Sequence, residues 1–153
     1  MRKLSILFLK LSILFVTLPL MLLAGYGIFS LLQNPVNPVY AWMLYPVIAG
    51  VYLSLLPLFW ILQHLYRLLE AVAGNKSWNE KEGILKKLRK GSLFFAGVFV
   101  FTEPFVFQVA QEDDAPGLII FFLIPAFFAL VFSAILTLFI DREKQEGSLS
   151  PER

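Results

Sequence analysis

All thirteen Lys and Arg residues of this chain lie outside four long apolar segments, and all fall on one side of any membrane those segments cross. The segments are residues 11–32, 41–63, 92–110 and 118–140. Arg2, Lys3 and Lys10 precede the first. Seven bases from Arg67 to Lys90 separate the second from the third, and Arg142, Lys144 and Arg153 follow the fourth. The connections at 33–39 and 111–117 contain neither Lys nor Arg. A hydrocarbon layer about 30 Å thick takes roughly 20 residues of helix to cross. Four runs of this length therefore predict four crossings. Basic segments stay cytoplasmic, so both termini are expected inside.

Composition agrees with that reading. Apolar residues make up 58% and charged residues 16% of 153, against roughly 45–50% and 25% in a soluble domain. Such a chain cannot cover its apolar surface with its own core, so lipid must. The expected fold is all-α, one integral membrane four-helix bundle spanning 1–153, with no room for a second domain. Its helices are expected at about 4–32, 41–66, 80–110 and 118–140, with a cytoplasmic connector at 67–91 and a polar tail at 141–153. A net charge of +2 hides an asymmetry, because the connector holds seven bases and three acids while the outer turn holds Glu112, Asp113 and Asp114. Cysteine is absent, which removes disulfides, thiolate metal sites and thiol catalysis together. The basic, apolar start resembles a signal peptide, but its apolar run is too long and lacks paired small residues near Leu22 and Ala24. It is read as an uncleaved first helix.

Local signals refine the plan. Lys10 is expected to reach back to the headgroups along its alkyl stem. Gly25 and Gly27 are expected to let a neighbouring backbone approach. Tyr40, Trp42 and Tyr45 suit the outer interface, and Trp60 and Tyr66 the inner one. Gly74 and Asn75 predict the end of the second helix. Asn79 with Glu82 three residues later predicts a capping box. Residues 83–91 place Ile84, Leu85 and Leu88 on one side and Lys86, Lys87, Arg89 and Lys90 on the rest, a short basic amphipathic stretch expected to lie at the inner membrane surface and to be continuous with the third helix. Every span contains proline: Pro19, Pro46, Pro57, Pro104 and Pro125. The small pairs Gly50 with Ser54 and Ala129 with Ser133 are the packing candidates.

The run from Gln108 to Gly117, with its Asp113-Asp114-Ala115-Pro116-Gly117 turn entering an apolar helix, carries a resemblance. So does Asn75-Lys76-Ser77-Trp78 leading into a Lys-rich helix. Together they resemble the bacterial membrane family catalogued as domain of unknown function 2975, over Lys3 to about Ile140. The resemblance implies a small bacterial plasma-membrane protein without established activity. Family members are often encoded beside a small helix-turn-helix regulator, which implies a role in controlling one. Two departures stand out. Residues 141–153 are shorter than the family's acidic tail and different in composition, and Glu103 occupies a position where the family has an apolar residue, so no role is carried over to it.

Few residues here carry chemistry. Glu103 lies deep in the third span, where a charge costs several kcal/mol and an acid is a functional hypothesis by default. A proton or cation relay would use it. The plainer reading is a protonated carboxyl hydrogen-bonded within the bundle, with the Val100 carbonyl as partner because Pro104 has no N–H to give. His64 is the only histidine; one imidazole without a second ligand is no metal site, and an interfacial polar residue is expected. Glu112, Asp113 and Asp114 read as a solvated turn rather than a Ca²⁺ loop. The bases Lys86, Lys87, Arg89 and Lys90 suit lipid contact or a cytoplasmic protein partner. Nucleic acid is not expected, because the bases are few and lie against the membrane. No catalytic residue, cofactor or metal site is expected. The leading function is a non-enzymatic regulatory or interaction protein. The alternatives are a small oligomeric transporter or channel subunit using Glu103, and an immunity or self-protection protein.

The charge distribution generates the first prediction. In this cysteine-free chain, single cysteines at Asn37 and Ala115 should react with an impermeant thiol reagent added to intact cells, whereas cysteines at Ser77 and Ser148 should not. External labelling at Ser77 would overturn the four-crossing topology.

Overall fold

The computed structural model describes residues 2–148. Four helices follow in chain order: α1 Arg2–Gln33, α2 Ala41–Ala73, α3 Trp78–Glu112 and α4 Gly117–Ser148. The described residues contain no strand, and each helix is long and apolar enough to cross a membrane. Helix is the secondary structure a single hydrophobic run can adopt there, because it satisfies every backbone group within the segment.

The helices outrun the hydropathy pattern. α2 continues to Ala73 and α3 begins at Trp78, so most of the expected connector is helical and only residues 74–77 turn the chain. α4 runs on to Ser148 through much of the expected polar tail. Both corrections share one cause. Bilayer thickness bounds the apolar run, but a helix can continue past it until a terminating turn stops it.

The terminators are specific. At the end of α2, Asn75 takes the left-handed conformation (φ 49°), while the Lys76 N–H donates to Ala71 O (3.0 Å) and the Asn75 N–H to Val72 O (3.4 Å). This is a Schellman ending with Asn in the position usually given to Gly. The left-handed position therefore falls on Asn75 rather than Gly74. α3 ends in the same way, with Asp114 at φ 52° and the Ala115 N–H donating to Ala110 O at 2.9 Å. The expected capping box does not form. Ser77 is the N-cap and makes no side-chain cap bond, which places Asn79 inside the helix.

Successive helices are antiparallel and pack in chain order: α1 on α2, α2 on α3, α3 on α4. α3 is therefore central and buries residues from Leu85 to Ala110, whereas α1 touches α2 alone. The α2–α3 seam closes on a glycine from each helix. Gly50 of α2 sits against the Thr102 side chain, and Gly91 of α3 against Ile61 (3.1 Å from the position a Cβ would take) and Trp60 (3.2 Å). Thr102 is buried and donates its hydroxyl to Val98 O at 2.8 Å, so its polar atom is satisfied within its own helix. On α4 the buried residues Ala126, Ser133 and Ile140 recur every seventh position, the period of a helix–helix seam. Leu85 and Leu88 pack on Leu136 and Ile140. The amphipathic stretch at 83–91 is continuous with α3, as expected, and its apolar side is filled by protein.

The small-residue expectations divide. Gly50, Ser54 and Ser133 lie in packed positions, and Gly27 meets the Tyr52 hydroxyl, which donates to Ala24 O at 3.1 Å. Gly25 has nothing within 4 Å of its Cβ position and contributes no close approach.

Gly50→Leu should therefore cost about 1–3 kcal/mol through overpacking against Thr102, read as a lower unfolding temperature in detergent. Gly25→Leu should leave that temperature unchanged. Equal effects of the two substitutions would overturn the seam.

Candidate functional site

The ion pairs of the described residues gather at one end of the molecule. There the start of α1, the turn between α2 and α3, and the end of α4 come together. The Lys10 ammonium donates to Glu70 Oε1 at 3.1 Å and to the Tyr66 hydroxyl at 3.5 Å, and it lies 4.5 Å from the centre of the Tyr66 ring. Lys10 was expected to seek headgroups; it finds a carboxylate on α2 instead, and so ties α1 to its neighbour. Lys76 pairs with Glu80 across one helical turn at 2.6 Å.

Glu82 joins two helices. Its Oε1 accepts from Lys86 of the same helix at 2.8 Å and from Lys144 of α4 at 3.3 Å. The hydrogen bond from Lys86, then that from Lys144, holds its carboxyl below the usual carboxylate range. The Glu82–Lys86 pair has the favourable order, acid before base four residues apart, and is legible in the sequence. Lys144 is not, because it reaches this point only after α4 is helical throughout.

The four bases expected to form an interaction surface have three different environments. Lys86 is engaged with Glu82. Lys87 and Lys90 line the α2–α3 seam near its charged end. Arg89 is half-buried.

Glu103 stands well away from this end. Its side chain is half-buried on α3, one turn beyond Phe99, which meets Phe122 of α4 at 6.0 Å. Both carboxyl oxygens are enclosed and have no hydrogen-bond partner, so the expected bond with the Val100 carbonyl is not made. An enclosed, unpaired acid costs free energy, and this is the feature that singles out the residue. Gln108 Oε1 is likewise enclosed and unpartnered.

His64 is committed elsewhere. It is buried within the bundle, at 3% exposure, near the charged end of α2. Its Nδ1 donates to the Trp60 carbonyl at 2.9 Å, and its ring stacks on the Trp60 indole at 4.7 Å. The imidazole is thereby committed to packing. Glu112, Asp113 and Asp114 are all exposed, with Asp114 serving as the left-handed residue of the helix ending. No cluster of three His, Cys, Asp or Glu side chains able to hold a metal occurs among the described residues.

A family model described as "Protein of unknown function (DUF2975)" matches residues 31–142. The chain is also similar to the uncharacterized membrane protein YoaS of Bacillus subtilis (strain 168), with 24% identity over 142 residues that cover 89% of each chain. No solved structure matches it.

Glu82 supplies a prediction with a defined sign. Its folded-state carboxyl titrates below the ordinary value of 4.5, so the tether contributes its stability above that pH and loses it as pH falls through the lower, folded value. Glu82→Gln should lower the unfolding temperature in detergent at neutral pH, and the gap to the parent should shrink on acidification below about pH 4. A gap that persists unchanged into acid would remove Glu82's charge from the account.

Proposed function

The chain belongs to the DUF2975 family and is a multi-pass membrane protein; from that premise we propose that it acts by contact rather than catalysis. In this reading it sits in a bacterial plasma membrane with both termini cytoplasmic. It presents the charged end formed by the 74–77 turn, the first turns of α3 and the end of α4 to a cytoplasmic protein. The observation that carries the reading is the Glu82 bridge to Lys86 and Lys144. It joins two helix ends into one surface that is charged and anchored on the Leu85, Leu88, Leu136 and Ile140 cluster. Because the connections at 33–39 and 111–117 hold no Lys or Arg, every described ion pair falls at this end, and the paired charges give it a defined face for a partner to meet. A DNA-binding regulator is a fitting partner class, since a membrane-held basic face could retain its acidic surfaces.

One observation favours a second reading. The enclosed, unpartnered Glu103 carboxyl is what a proton- or cation-coupled carrier would need. Substitution separates the two. A photo-crosslinking residue at Ser77 should capture a discrete cytosolic protein in cells, and Lys86→Glu with Arg89→Glu should abolish the adduct. Glu103→Gln should keep the adduct and should not reproduce the phenotype of the gene deletion. Appearance of that phenotype in Glu103→Gln at normal protein level, with no adduct from Ser77, would overturn the contact reading in favour of transport.

A further inference from the structure

An apolar groove runs along one flank of the α2–α3 seam in two connected parts. The first part, of about 590 Å³, lies among Gly50, Leu53, Gly97 and Phe101. The second, of about 320 Å³, continues toward the charged end between Pro57, Trp60 and Gly91. Phe94 lines both. Each volume falls in the range of roughly 300–1,000 Å³ typical of ligand sites. Gly97 has nothing within 4 Å of its Cβ position, so the groove is a space the protein leaves unfilled along a lipid-facing seam.

The groove ends in two lysines. Lys87 and Lys90 line its inner part, and both are exposed. Of the other lysines around this end, Lys10 has Glu70, Lys76 has Glu80, and Lys86 and Lys144 share Glu82; Lys81 has no acid partner among the described residues, but it does not line the groove. No acid among the described residues pairs with Lys87 or Lys90. A trough of hydrocarbon character closed by two uncompensated ammonium groups matches one chemistry, an acyl chain attached to an anionic headgroup. Basic pockets between membrane helices on the cytoplasmic side bind such headgroups.

We propose that the α2–α3 groove is a specific site for one anionic phospholipid. Its phosphate is held by the Lys87 and Lys90 ammonium groups, and an acyl chain lies along Trp60, Phe94 and Gly97. A zwitterionic lipid is disfavoured, because no carboxylate lies beside the lysines to receive its cationic group. A free soluble anion would leave the apolar trough empty. The site is independent of the protein contact proposed above, since Lys87 and Lys90 face the seam whereas Lys86 and Glu82 face α4.

Trp60 lines the groove and reports on it. The full chain carrying Trp42→Phe and Trp78→Phe retains Trp60 as its only tryptophan. Reconstituted into phosphatidylcholine vesicles doped with brominated phosphatidylglycerol, Trp60 should be quenched at a lower mole fraction than with brominated phosphatidylcholine. Lys87→Gln with Lys90→Gln should raise the required fraction by about fivefold per lysine. Lys76→Gln with Lys86→Gln removes the same charge outside the groove and should preserve the preference. Gly97→Leu, which has room for its side chain, should weaken quenching by filling the groove. Equal quenching by the two lipids, or equal loss in the two double variants, would reduce the effect to general surface attraction and overturn the site. A change of oligomeric state in Gly97→Leu, with lipid preference intact, would make the groove a contact between copies and likewise overturn it.

Discussion

Hydrocarbon offers no hydrogen-bond partner, and the rest of this structure depends on that absence. Each backbone group inside the membrane must be paired within its own segment, so the chain crosses as helices and turns only at residues 34–40, 74–77 and 113–116. The same constraint acts on side chains. The hydroxyls of Ser12, Thr17, Ser92, Thr102 and Thr137 donate to the carbonyl one turn back in their own helices, and His64 does so through its imidazole. With polar groups satisfied locally, helix association rests on shape. Hence the seams form where glycine, serine and alanine allow close approach, at Gly50, Gly91, Ala126 and Ser133.

Against that background the two kinds of polar feature separate cleanly. The ion pairs of the described residues lie at a single end, where Lys10–Glu70 and Lys144–Glu82 tie together different helices. Glu103 is the one acid placed where water is absent, and it finds no local partner. The contact reading assigns work to the first group; the transport reading assigns it to the second. They are distinguishable because no described hydrogen bond or ion pair connects Glu103 to the charged end.

Four crossings were legible in the sequence because apolar run length maps directly onto bilayer thickness. Gly50 and Ser133 were legible too, as small residues spaced one turn from another small residue. Helix ends were less so. Asn75 and Asp114 terminate helices by accepting a left-handed backbone, a tolerance shared by many Asn and Asp residues that never use it. The centrality of α3 was not legible, since residues facing lipid and residues facing protein are equally apolar in a membrane helix. The span of α3 is barely less apolar than that of α2, although it is the most buried of the four. The Lys144 and Glu70 partnerships stayed hidden for another reason. Charge counting assigns a base to a side of the membrane but says nothing of which acid on a different helix it will meet.

The lone attachment of α1 to α2 has a consequence for how this protein comes apart. α1 buries none of its most apolar stretch and is fastened at two places, by Lys10 to Glu70 near one end and by Tyr52 to the Ala24 carbonyl nearer the other. Lipid can replace most of what α2 gives it at little cost, because apolar contact with a neighbour and with acyl chains is nearly equivalent. Those two polar clasps therefore carry the difference between a docked and an undocked helix. α1 is the panel of the structure with the lowest opening free energy, swinging on residues 34–40 while α2, α3 and α4 remain assembled. Neutralising Glu70 would unfasten one clasp and leave a three-helix core with a tethered fourth.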